Sequence, residues 1–134
     1  MTPVGSVLFD SQALRLLLRD DPRILAVTAR AAQRRIPLHV SVLTVVETAQ
    51  GRGDRRRLDW VLSRFRRIDE VTPADGFTAL DLLRQGGGLS GQAYAIDACL
   101  AALALRLPGH TVVYTSDAGD WWRLVGGRVG IVSV

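Results

Sequence analysis

The chain has 134 residues, 48% of them hydrophobic and 22% charged, with a formal net charge of +4. That is enough for one globular domain with its own core, too short for two, and too apolar for a disordered chain. A lone Cys99 and two histidines, His39 and His110, exclude a disulfide framework, a cysteine zinc cage and a His-rich transition-metal site.

The first predicted strand, residues 7–9, is an apolar run without polar alternation, the pattern of a strand covered on both faces. It ends at Asp10. A helix over 11–19 follows with Leu14, Leu17 and Leu18, then a second over 22–35 that opens on a proline, tolerated in a first turn. Residues 39–42 form the second strand, with His39 read as structural. This strand runs into a short helix, 44–50, holding Glu47 among Val45, Val46 and Ala49. A helix over 54–65 places Leu58, Val61, Leu62 and Phe65 at helical spacing, and a weaker strand is expected at 67–71. The next helix, 72–85, opens with Thr-Pro and carries Phe77, Leu80 and Leu83. The segment GGGLSG at 86–91 reads as a flexible loop inside the domain. The longest helix, 92–107, has Ile96, Leu100, Leu103 and Leu107 as its apolar stripe and stops at Pro108-Gly109. Strands at 111–115, followed by Asp117, and at 131–134 complete the chain. The longest apolar run, residues 98–105, falls far short of the roughly 18–20 residues a membrane span needs. The opening MTPVGSVLFD has no basic or long apolar segment, so a cytoplasmic protein without a secretory signal is expected.

Alternating strands and helices imply a parallel sheet with helices on both faces. In such sheets the chemistry lies beyond the carboxyl ends of the strands, at a switch in strand order. Asp10 and Asp117 each follow a strand, and Glu47 lies about a turn into the helix after another. Asp97 has Ala93, Leu100, Ala101 and Ala104 at helical spacing, on or beside the buried face. No arginine lies within a turn of it, and an unpaired buried carboxylate is costly; a core aspartate paired elsewhere or capping a helix is the structural alternative. Carboxylates gathered at one sheet edge repel one another unless a cation sits among them. Mg²⁺ or Mn²⁺ suits an all-oxygen set better than zinc, and can activate water and neutralise phosphoryl charge.

All 17 basic residues are arginine. The absence of lysine excludes a P-loop lysine, Schiff-base chemistry and lysine general bases. Arg52, Arg55, Arg56, Arg57, Arg64, Arg66 and Arg67 face only Asp54 and Asp59 in their window, so the whole positive balance resides there. Such a window suits a phosphate backbone, with a solvated helix face as the alternative.

The order Asp10, Glu47 in VVETAQG, Asp97 in AIDACLAALAL and Asp117 in VVYTSDAGDW resembles the PIN-domain ribonucleases, and more narrowly the VapC-type toxins of type II toxin–antitoxin pairs. The resemblance spans residues 1–134 as one PIN domain. It implies a three-layer α/β fold with a four- to five-stranded parallel sheet. It also implies a Mg²⁺- or Mn²⁺-dependent endoribonuclease with Asp10, Glu47, Asp97 and Asp117 as catalytic acids, Asp10 and Asp97 holding the metal. The implied partners are an RNA substrate, a cognate antitoxin protein and a second copy in a homodimer. Ser11-Gln12 departs from the family's usual pair after the first acid. Asp120 is either a further site acid or, with Asp117, a cap on the helix of Trp121 and Trp122; one of those tryptophans is expected in the core and the other at a surface. A receiver domain would need a lysine, and a haloacid-dehalogenase-like phosphatase a second aspartate after Asp10. A non-catalytic RNA- or partner-binding module on the same fold is the rival from another class.

Overall fold

The structure, a computed structural model, describes residues 3–49 and 53–134; Gln50, at the end of the third predicted helix, and Arg52 of the arginine window lie outside them. Strands β1 (Val4–Phe9), β2 (Leu38–Ser41), β3 (Arg67–Asp69), β4 (His110–Thr115) and β5 (Gly130–Ser133) form one sheet in the order β3-β2-β1-β4-β5. Every pairing is parallel. The chain steps outward from β1 through β2 to β3, then returns to the other side of β1 for β4 and β5. The switch in strand order therefore falls between β1 and β4.

Among the described residues seven α-helices flank the sheet: α1 (Ser11–Leu18), α2 (Pro22–Gln33), α3 (Val42–Ala49), α4 (Arg55–Leu62), α5 (Pro73–Gln85), α6 (Gly91–Arg106) and α7 (Ala118–Val125). Period-two alternation in β1 sends Val7 and Phe9 to one face and Leu8 to the other. Val7 and Phe9 pack with Leu14, Leu17, Ile24 and Val61 of the first helices and with Phe65, which lies past the end of α4. Leu8 and Val113 pack with Leu82, Leu100, Leu103, Trp121 and Leu124 of the last three. The result is the expected three-layer, PIN-like α/β architecture, with five strands.

The expected boundaries shift where a polar cap decides them. Ser41 Oγ accepts the Leu43 amide at 3.1 Å, so Val42 begins α3 rather than ending β2. Thr72 and Asp75 form a reciprocal capping box that starts α5, and Arg106 donates from Nε to Asp75 at 2.8 Å, tying α6 to that cap. The glycine loop after α5 is anchored rather than loose: Leu89 is buried and Arg123 donates to the Gly86 carbonyl at 3.2 Å. In α6 the predicted stripe holds at Leu100, Leu103 and Leu107, while Ile96 is exposed. Trp121 is buried and Trp122 exposed, as adjacent residues on a helix must diverge.

Candidate functional site

Asp10 follows the last residue of β1 and is the N-cap of α1. Its Oδ1 accepts the amides of Gln12 at 3.1 Å and Ala13 at 3.4 Å. Those bonds and the Thr115 hydroxyl favour the charged form, yet burial outweighs them and raises the carboxyl above its ordinary range. Thr115, the last residue of β4, also accepts the Asp117 amide at 2.9 Å on the same hydroxyl oxygen. One threonine thus orders the ends of both strands that flank the switch point. Sequence reasoning missed it, although its place two residues before a strand-end acid was the available signal.

Four carboxylates meet beyond these strand ends. A cavity of about 200 Å³ is lined by Asp10, Glu47, Asp97 and Asp117, together with Ser11 and Gln92. They arrive from the ends of β1 and β4, from α3 and from α6, so the fold brings together all four acids singled out in the sequence. Among the described residues none of the four takes part in an ion pair. The arginine-paired alternative for Asp97 therefore fails. Burial, then the charges of Asp117, Asp10, Glu47 and Asp120, push the Asp97 carboxyl up to about 6. Glu47 is raised mainly by burial, with Arg15 opposing and Asp10 and Asp117 reinforcing the shift.

The capping alternative for Asp117 and Asp120 also fails in its specific form. Asp117 occupies the N-cap position of α7 but makes no side-chain capping bond. Asp120 lies in the first turn of α7 and contributes to the field on Asp97.

The donor set is all oxygen, which suits a hard cation. As placed, no three acidic, histidine or cysteine side chains among the described residues form a cage for an ion. An aquated Mg²⁺ or Mn²⁺ does not require one: Mg²⁺ keeps several waters and binds through one or two carboxylates. The mutual repulsion on this cavity is the observation that such an ion would relieve, so the residues fit a hydrated divalent ion held at few points.

No protein-family model and no curated protein sequence matches this chain. Solved structures do. A chain of VapBC2 from Rickettsia felis bound to a DNA fragment from their promoter superposes with a TM-score of 0.73 at 14% identity, covering 96% of this chain and 98% of that one. A chain of FitAB bound to an IR36 DNA fragment gives 0.71 at 19% identity, with 95% and 94% covered. FitAcB from Neisseria gonorrhoeae gives 0.67 at 17% identity, with 95% and 96% covered. The likeness spans nearly the full length of each chain, and at these identities it is a likeness of fold.

Proposed function

We propose that the acid-lined cavity is a divalent-metal centre that hydrolyses RNA phosphodiester bonds, and that the chain is the toxin of a toxin–antitoxin pair. The observation that carries this reading is the convergence of four unpaired carboxylates from four separate elements on one cavity. Asp10 and Asp97 would hold the metal, Mg²⁺ or Mn²⁺. When bound, that ion supplies an activated water and neutralises charge on a phosphoryl oxygen. Glu47, half-buried and with its carboxyl raised by burial, accepts a proton from water more readily than an ordinary glutamate. Asp117 adds negative charge opposite Asp10 across the switch point, and Thr115 keeps the two strand ends in register.

Two exposed apolar surfaces support the partner part of the reading. A groove of about 660 Å³ beside α3, α4 and β3 presents Val42, Val46 and Ile68, a surface for the antitoxin. On α5, Phe77 and Leu80 are exposed, a surface for a second copy. The complexes in which the similar folds occur support this reading as well.

Incubation of the purified protein with total RNA in Mg²⁺ or EDTA tests the proposal. Metal-dependent cleavage is expected, falling by orders of magnitude in Asp97→Asn while the circular-dichroism spectrum persists. Full activity in Asp97→Asn would overturn the site. Binding of RNA without cleavage in any divalent metal would return the chain to the non-catalytic module.

A further inference from the structure

The nuclease reading accounts for the acids and leaves the arginines unexplained. Arg15 of α1 acts on Glu47 at the acid cavity and also lines a second cavity, of about 550 Å³, beside α1, α3 and α4. Arg57 lines that second cavity from α4, and its guanidinium lies 5.2 Å from the centre of the Trp60 ring. Arg64 lies 4.7 Å from the same ring and lines a third cavity, of about 380 Å³, together with Arg35 and Arg66. Helix α3 adjoins both the acid cavity, at Glu47, and the second cavity, at Thr48 and Ala49, and the two arginines on Trp60 join the second cavity to the third, at the edge where β2 begins.

Three features of this line point to a ligand. Arg35, Arg64 and Arg66 form no ion pair among the described residues, and no carboxylate lines their cavity. Arg35 sits at φ +55°, just past the end of α2, where the Ile36 amide closes on the Ala31 carbonyl at 2.9 Å. Glycine is the usual residue at such a left-handed helix stop, so an arginine there costs backbone strain. Trp60 is 52% exposed in the middle of the arginine helix. A large aromatic surface interleaved with guanidinium groups is the composition of a platform for unpaired bases and their phosphates. A duplex would keep its base faces stacked and leave the ring unused.

We propose that this line is the track for an extended single RNA strand continuing beyond the acid cavity. A base stacks on Trp60, phosphates contact Arg64 and the cleft of Arg35 and Arg66, and Arg57, held by Asp20, braces the ring. The identification of the strand as RNA rests on the nuclease reading; the track itself rests on the arginines and the tryptophan. The apolar groove with Val42, Val46 and Ile68 adjoins the track, sharing Ala49, Arg55 and Leu58 with the second cavity, and its apolar lining is better suited to a protein partner.

Binding in EDTA to the Asp10→Asn protein tests the track apart from catalysis. Fluorescence anisotropy compares a labelled oligouridylate of about twelve nucleotides with a trinucleotide. The longer strand is expected to bind more tightly. Trp60→Leu should weaken it by roughly 5- to 150-fold, the range of one lost base stack. Arg35→Gly, which suits the left-handed backbone, combined with Arg66→Ser should lower the salt slope by about 0.7 per lost contact on a single strand. Both variants should erase the advantage of length. Unaltered affinity and salt slope in both would overturn the track. So would competition by duplex RNA, or by polyglutamate, as strong as that by oligouridylate; the polyglutamate result would assign the surface to an acidic protein segment. Length-dependent binding in a protein that cleaves no RNA would keep the track and remove the nuclease reading.

Discussion

Asp97 lies half-buried with the charges of Asp117, Asp10, Glu47 and Asp120 acting on it, which is why its carboxyl stands at about 6 rather than 3.8. A carboxyl raised in the folded state binds its proton more tightly there than in the unfolded chain. Its contribution therefore favours folding at pH values below the unfolded value and is withdrawn as pH rises from about 3.8 to about 6. Asp10 and Glu47 are shifted in the same direction. Asp75 is the counterexample: burial, the largest single influence, would raise it, but the hydrogen bonds from Arg106 and Thr72 and the Arg106 charge together outweigh it and lower it, so its contribution is lost on acidification below the ordinary carboxylate range. In metal-free buffer the melting temperature should fall across the window of Asp97, and Asp97→Asn should flatten that fall. Thermal melts in EDTA from about pH 4 to 7 would check this. An equally steep fall in the variant would mean that other groups carry it. His39 behaves as the sequence suggested, donating from Nδ1 to the buried Asp69 carboxylate at 2.8 Å and so pinning β2 to the edge strand β3.

At the scale of elements, the cavity depends on β1 and β4 ending together, and a close backbone approach sets their start. Gly5 of β1 lies against the Pro108-Gly109 turn that leads into β4. A Cβ on Gly109 would stand 2.9 Å from the Gly5 Cα, and Gly109 has φ +72°. Ser6 reinforces the contact by donating to the Pro108 carbonyl at 2.8 Å. Gly109→Ala combines a steric clash with a left-handed backbone that alanine disfavours, and should cost about 2 kcal/mol or more. Urea unfolding would measure it, and an effect below about 0.5 kcal/mol, the range of neutral surface changes, would show that the turn adapts. Activity should fall as well, since a displaced β4 carries Thr115 and Asp117 with it.

Across the whole molecule, charge is segregated by surface: acids at the switch point, arginines along α4 and its neighbours, and apolar patches beside α3 and on α5. The described residues include no helix long and apolar enough to cross a membrane. If Asp10 and Asp97 hold one ion in the acid cavity, Mg²⁺ binds the folded chain and not the unfolded one. Stability should then rise by about 2.7 kcal/mol at a hundredfold excess of metal over Kd. For a chain of this length that is a melting shift of several degrees. Differential scanning fluorimetry with and without Mg²⁺ should show the shift in the parent protein and a much smaller one in Asp10→Asn. Equal shifts in both would place the ion elsewhere. Because the ion requires ionised carboxylates, the gain should grow as pH rises through the window of Asp97, opposite in sign to the metal-free trend.

The sequence by itself determined the alternating α/β layers and four of the strands, with a weaker sign of the fifth, and singled out the four acids, because these are written in local pattern. Apolar runs without alternation mark strands buried on both faces, and an acid directly after such a run must fall at the sheet edge. A carboxylate among alanines on a long apolar helix is conspicuous without any coordinates. Only the tertiary structure decided that Thr115 serves both Asp10 and Asp117, that Asp117 forms no capping bond, and that Arg35 lies in one cavity with Arg64 and Arg66. These are relations between residues distant in the chain, or between atoms whose hydrogen bonds compete. Periodicity reports which face of its own element a side chain occupies. It carries no information about which side chain of another element meets it across the sheet edge, because that depends on strand order, crossover and register acting together.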